Sequence, residues 1–133
     1  MTTVNNQIRR LLEGLYLKTV SGDISWSYDS AEDKCEAQIG SGYIQVLGDT
    51  DEDGDYFNYV RILNSNKVVS DNIYGGTPGR SAIPSNTGHS NYWELIRDLK
   101  SAAQRSALGS QEVLLSMISA LDADKLDVHD LPF

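Results

Sequence analysis

The chain has 133 residues, 40% of them hydrophobic and 23% charged, which is usual for one folded domain and excludes a disordered or collagen-like chain. Its 19 acidic and 11 basic residues give a net charge of −8, which repels nucleic-acid phosphates and anionic lipid surfaces. We therefore expect neither nucleic acid nor a membrane as a partner. Because no stretch is as apolar as a signal peptide or a membrane span, we expect a cytoplasmic protein.

The chain opens with apolar residues at helical spacing. Val4, Ile8, Leu11, Leu12 and Leu15 share one face, with charged and polar side chains on the other. This pattern predicts an amphipathic helix that ends between positions 14 and 18.

From residue 23 the period changes to two, which is typical of strands with one buried face. The alternation and the polar turns between the runs predict strands at 23–28, 35–39, 43–47, 56–63 and 67–73. Parallel strands need a crossover of a dozen or more residues, and all the connections here are shorter. The sequence therefore predicts an antiparallel meander of about five strands.

A glycine-rich loop at 75–90 precedes two predicted helices. Asn91 and Glu94 have the capping-box spacing, and the first helix runs from there to a stop near Gly109. Ser110 begins the last helix, with an apolar stripe at Val113, Leu114, Met117, Ile118 and Leu121. The predicted fold is thus α+β, with one N-terminal and two C-terminal helices closing a single domain at 1–121 and an acidic, apolar tail at 122–133.

Alternating carboxylates lie in the predicted loop between the third and fourth strands. Asp49, Asp51, Asp53 and Asp55, with Gly54, match the first half of an EF-hand calcium loop. The position where that loop needs a bidentate Glu is Val60, and strands flank the segment. Two interpretations stay open: a solvated hairpin loop that protects the sheet edge, or a calcium site with these four aspartates as ligands.

The other residues that could take part in catalysis or ligand binding do not form a recognised motif. The glycines and Arg80 at 75–81 could hold a phosphate or another small ligand, but they fit neither common phosphate-loop motif. His89 lies between Gly88 and Ser90, so we expect an exposed loop residue, and no GxSxG elbow is present. Cys35 stands alone on a predicted strand and is expected to be an inert structural thiol. We assign no catalytic residue and expect no cofactor, calcium excepted.

Aromatic residues lie on both faces of the fourth strand. Phe57 and Tyr59 face away from Tyr56, so this strand offers apolar groups to two sides of the sheet. Such a pattern indicates a second covered surface, formed by helices or by another subunit. With Leu131 and Phe133 of the tail, Phe57 and Tyr59 are the predicted interaction residues.

Two resemblances bear on function. The closing helices resemble those of small uncharacterised bacterial proteins with a Leu-rich stripe, then Ala and Arg, then a short final helix; no function is attached to that group. The residues that carry this resemblance are Leu95, Leu99, Ala103, Arg105, Ala107, Leu108, Val113, Leu114, Ile118 and Leu121.

In architecture, an acidic helix–sheet–helix domain of this size is similar to the type III secretion chaperones, which dimerise and hold an unfolded segment of their cargo. The sequence as a whole favours a non-catalytic protein-interaction module that binds another protein or itself. The alternative is a domain that binds calcium or a small ligand through the aspartate loop or the 75–90 loop.

Overall fold

The computed structural model of the chain describes residues 6–75, 84 and 86–123. Its elements in chain order are α1 (Asn6–Val20), β1 (Ser27–Asp29), β2 (Lys34–Ile39), β3 (Gly42–Thr50), β4 (Tyr56–Leu63), β5 (Val69–Tyr74), α2 (Tyr92–Ala107) and α3 (Ser110–Ala123). The predicted α+β fold with a five-stranded antiparallel meander is confirmed.

The sheet has the order β1-β2-β3-β4-β5, so each strand pairs with its neighbour in sequence. Short turns enforce this order: β2 and β3 join through the two-residue turn at 40–41, with Ile39 paired to Gly42. Between positions 27 and 74 no helix interrupts the strands.

One face of the sheet forms the hydrophobic core with α2. Leu95, Ile96 and Leu99 of α2 are fully buried, and burying each stabilises the fold by roughly 1.5–3 kcal/mol. Helix α1 packs mainly on α2 and adds the second layer of this core. The buried cluster comprises Ile8, Leu12, Leu15, Trp26, Cys35, Ala37, Ile44, Val46, Val60, Ile73, Tyr92, Leu95, Ile96, Leu99 and Ala103.

Four strands differ from the predicted bounds, and α1 continues to Val20, past its predicted end at 14–18. β2 begins one residue early, at Lys34, and β5 covers Val69–Tyr74 rather than 67–73. β1 covers only Ser27–Asp29, because those three residues alone pair with β2. Trp26 lies before it and is buried, with its indole Nε1 donating to Thr19 Oγ1 of α1 at 3.0 Å. β3 extends to Thr50 rather than stopping at 47, since its last residues pair with the start of β4. Asp49 is therefore a strand residue.

Helix α3 follows α2 as predicted, but its apolar side chains are not buried. It contacts chiefly α2, and every side chain from 111 to 122 is exposed. It also runs through 122 and 123, which the sequence assigns to the tail. In the described part of the chain, no helix is both long enough and apolar enough to cross a bilayer.

Candidate interaction surfaces

Helix α3 carries an apolar stripe that nothing in the described chain covers. Six large apolar side chains are each 47–61% exposed: Val113, Leu114, Leu115, Met117, Ile118 and Leu121. At 100° per residue, all of these except Leu115 fall within an arc of about 140°. We call this set, Val113, Leu114, Met117, Ile118 and Leu121, the α3 stripe. Its residues are those that the sequence predicts, but it faces outward.

The local sequence explains why α3 is a helix. Between Ser110 and Ala123 there is neither Gly nor Pro, and most residues are good helix formers. Glu112 lies in the first turn, where a negative charge complements the helix dipole. Glu112 and Asp122 are the charged residues of this segment, so the α3 stripe between them is free of charge.

A glycine separates α3 from α2 and sets their relative direction. Gly109 has φ +65°, a left-handed conformation that residues with a Cβ adopt only at a cost, and it ends α2. Beside this corner lies a groove of about 390 Å³, lined by Arg105, Leu108, Ser110, Val113, Leu114 and Met117. Val113, Leu114 and Met117 of the α3 stripe therefore line part of this shallow, open depression.

The second candidate surface is the face of the sheet that points away from α2. Phe57 and Tyr59 lie there together with Tyr74 of β5, which the sequence analysis did not single out. Tyr59 stacks on Tyr74 with ring centroids 5.1 Å apart, and Phe57 lies 6.0 Å from Tyr59 and 6.1 Å from Tyr74. Tyr59 is itself mostly buried within this aromatic patch.

Polar side chains border the aromatic patch and are bound to one another. Arg61 Nη2 donates to Tyr59 Oη at 3.0 Å and its guanidinium lies over the Tyr59 ring. Glu36 accepts from Gln45 and Lys67. The hydrogen bond from Gln45, reinforced by the one from Lys67, outweighs burial and lowers the pKa of Glu36. This face of the sheet thus combines packed aromatic rings with polar side chains that already have hydrogen-bond partners.

The four predicted calcium ligands do not converge. Asp49 pairs with Phe57 in the sheet, while one oxygen of Asp51 accepts the backbone N–H groups of Asp53 and Asp55 at 2.9 Å. The aspartates thus build the turn of a hairpin. Among the described residues, no group of three or more His, Cys, Asp or Glu side chains is placed to hold a metal ion.

His89 is not the exposed loop residue that the sequence predicts. Its side chain is only 10% exposed and packs edge-on against Tyr16. Nδ1 lies 2.7 Å from Thr87 Oγ1, and Nε2 lies 2.8 Å from Asp98 Oδ2. In a serine-hydrolase triad the carboxylate binds Nδ1 and the hydroxyl binds Nε2, the reverse of this arrangement. The contacts connect the loop to α1 and α2.

A polar cluster around the buried Lys100 joins α2 to the sheet, and the sequence analysis missed it. The Lys100 side chain is 5% exposed and its Nζ donates to Asp33 Oδ1 at 2.6 Å. Tyr28 Oη donates to the same oxygen and Tyr56 Oη to the other. A Cβ at Gly48 would overlap the Tyr56 hydroxyl and the Asp33 carboxylate, so only glycine leaves room for this cluster.

Charge pairing decides the ionisation of the cluster. Burial opposes the charged forms of both groups, but the Lys100 and Tyr56 hydrogen bonds lower the pKa of Asp33, and Asp33 raises the pKa of Lys100. Both groups therefore stay charged at neutral pH. Nearby, burial raises the pKa of the Cys35 thiol to about 11, in agreement with the inert thiol expected from sequence.

Several predicted site residues lie outside the described part of the chain. These are Leu131 and Phe133 of the tail, together with positions 76–83 of the glycine-rich loop, which include Arg80. Their proposed roles in protein or small-ligand binding stay predictions.

Comparison of the chain with protein-family models, with curated protein sequences and with solved structures finds no match. The functional argument therefore depends on the chain's own surfaces.

Proposed function

We propose that this chain is a non-catalytic protein-interaction module whose binding element is α3. The exposed α3 stripe is the observation that carries this proposal. Large exposed apolar surfaces on folded proteins usually mark sites of association. The secretion-chaperone-like role in the cytoplasm that the sequence suggests is one form that such binding could take.

The length of α3 supports the need for a partner. A helix of 14 residues is marginal in water by itself, because nucleation is unfavourable and few hydrogen bonds follow it. Most helices in proteins gain their stability by burying an apolar face, and α3 buries little of its own. A partner that covered the α3 stripe would supply the missing contacts.

The carboxylates of the polar clusters have partners within the fold, which leaves α3 as the stronger candidate for a binding element. Asp33 accepts from three side chains, and Asp51 accepts two backbone N–H groups. Both carboxylates therefore already have their hydrogen bonds within the fold. The apolar surface of α3 is the feature that fold stability leaves unexplained.

The test compares capture by wild-type protein with capture by a variant that carries Leu114→Ser and Ile118→Ser. The matched control carries Leu17→Ser and Val68→Ser, which remove apolar side chains of similar exposure, 46% and 58%, from other surfaces. Tagged proteins are incubated in lysate of the source cells that also contains untagged chain, and the captured proteins are quantified by mass spectrometry.

We expect one protein, either the untagged chain or another, to be captured stoichiometrically by the wild type and the control and at least tenfold less by the α3 variant. Retained alkylation protection of Cys35 shows that the variants are folded, since that thiol is buried. If all three proteins capture the same set, or none captures anything, α3 is not a binding element.

A further inference from the structure

We propose, building on the interaction role above, that the partner of α3 is the same helix of a second copy of this chain, in an antiparallel two-fold pair. The spacing of the α3 stripe is the first argument. Leu114, Met117, Ile118 and Leu121 follow the pattern i, i+3, i+4, i+7, which is symmetric about its midpoint. In an antiparallel pair, Leu114 therefore faces Leu121 of the partner subunit, and Met117 faces Ile118 of the partner subunit.

Charge is the second argument. Two chains of net charge −8 repel each other, so a stable contact between copies has to lie where charge is absent. The α3 stripe meets this condition because no charged residue lies between Glu112 and Asp122. A strongly cationic partner would gain little from this surface, since the stripe itself offers no carboxylate.

The direction of pairing follows from the helix dipole and the position of α3. Antiparallel packing places the positive N-terminus of each helix beside the negative C-terminus of its partner, whereas parallel packing places like ends together. Each domain is attached at the N-terminal end of α3 through Gly109. Antiparallel pairing therefore also holds the two acidic domains at opposite ends of the helix pair.

The available area is sufficient for a reversible dimer. The five residues of the α3 stripe offer on the order of 500 Å² per chain, so a pair would bury on the order of 1,000 Å², close to the smallest area expected of a specific interface. We therefore expect a dimer that dissociates on dilution rather than an obligate one.

The oligomeric state of the full chain tests the pairing. We expect sedimentation equilibrium to show a concentration-dependent monomer–dimer equilibrium for the wild type and for the control with Leu17→Ser and Val68→Ser. The variant with Leu114→Ser and Ile118→Ser is expected to dissociate at least tenfold more readily. A wild type that is monomeric at about 500 μM would overturn the inference, as would an unchanged equilibrium in the α3 variant.

Single cysteines test the direction, because Cys35 is buried and its raised pKa keeps it unreactive. Met117→Cys lies next to the two-fold axis and is expected to form a disulfide with its own copy. Leu121→Cys is expected not to, because its copy is about 10 Å away along the helix, beyond disulfide reach. Mixing Leu114→Cys with Leu121→Cys protein is expected to give the mixed disulfide.

The outcomes separate the two proposals. Disulfides of Leu121→Cys with its own copy would indicate parallel pairing and overturn the antiparallel arrangement. A monomeric chain that still captures a different protein through α3 would overturn self-pairing and leave the interaction role in place. A monomeric chain whose captured proteins are independent of α3 would overturn both.

Discussion

Asp33 and Lys100 differ in how much each depends on the other for solvation of its charge. Lys100 is enclosed and has Asp33 as its counter-charge, whereas the Asp33 side chain is 35% exposed and has two tyrosine donors besides. Removing Asp33 thus leaves a buried ammonium without an anion, while removing Lys100 leaves a carboxylate that water and two hydroxyl groups still solvate. The carboxylate is the more sensitive half of this pair.

We expect Asp33→Asn to lower the free energy of unfolding by about 2–3 kcal/mol, measured by urea denaturation at pH 7. Asparagine tolerates the left-handed backbone at this position, φ +50°, so the effect would report the lost charge. Glu52→Gln removes a carboxylate from an exposed loop and is expected to stay within about 0.5 kcal/mol of wild type. Equal stability of the Asp33 variant and wild type would contradict a need for the ion pair.

The burial of Lys100, one member of the ion pair with Asp33, could have been predicted from the sequence. Lys100 lies four residues after Ile96 and three before Ala103, so helical periodicity alone places it on the buried face of α2. A charged residue does not count toward an apolar stripe, so the apolar pattern by itself leaves Lys100 out. Asp33 gave no such signal, because it stands in a polar turn and meets Lys100 only through tertiary packing across 67 positions. His89 was missed for the same reason.

At the scale of elements, α2 matters most because it covers the sheet. Its start is fixed by Asn91, whose side chain accepts from Glu94 N at 2.8 Å, while Glu94 accepts from Ser90 N. The predicted capping residues are therefore confirmed, although the reciprocal bond goes to Ser90 rather than to Asn91.

We expect Asn91→Ala to destabilise the whole domain by about 1 kcal/mol, because one helical N–H loses its acceptor. Asn91→Asp keeps an acceptor and adds a favourable charge at the helix N-terminus, so it is expected to be at least as stable as wild type. The midpoints are measured by urea denaturation. An m-value equal to that of wild type in both variants would show that the two substitutions change the stability of the native state. An alanine variant with the wild-type midpoint would mean that the cap contributes nothing.

Strands were predictable where both their period and their turns were clear. The bounds of β4 are as predicted, since alternating residues run between an acidic loop and the turn at Asn64. The bounds of β1 depended on its pairing with β2, which a local pattern cannot show. The α3 stripe was correctly predicted as the apolar face of a helix. Periodicity shows that such a face needs a contact, but it cannot show whether that contact belongs to the same chain.

For the whole molecule, acid is expected to be destabilising. Burial alone would raise the pKa values of Asp33 and Asp98, but hydrogen bonds from Lys100 and Tyr56 to the former, and from His89 and Arg97 to the latter, lower them. The pKa of Glu36 is lowered as well. The unfolded chain thus binds protons at a higher pH than the folded chain does.

The resulting stabilisation is complete above the unfolded pKa values, near pH 4 to 4.5, and is lost as pH falls through the lower pKa values of the folded state. We expect urea midpoints to be constant from pH 7 to about 5.5 and to fall steadily below pH 4.5. The fall is expected to be shallower in Asp33→Asn and unchanged in Glu52→Gln. A midpoint that rises with acid would have the opposite sign and would refute this account.

The meander and its cover are separated along the chain. All five strands are complete by position 74, but the helix that buries Val46, Val60 and Ile73 begins only at Tyr92. During synthesis we therefore expect the apolar residues of the strands to stay exposed to water until α2 has left the exit tunnel. A nascent or truncated chain that ends before Tyr92 would expose these apolar residues to neighbouring chains. Aggregation is therefore expected to be most pronounced at the stage of synthesis after the last strand and before α2 is complete.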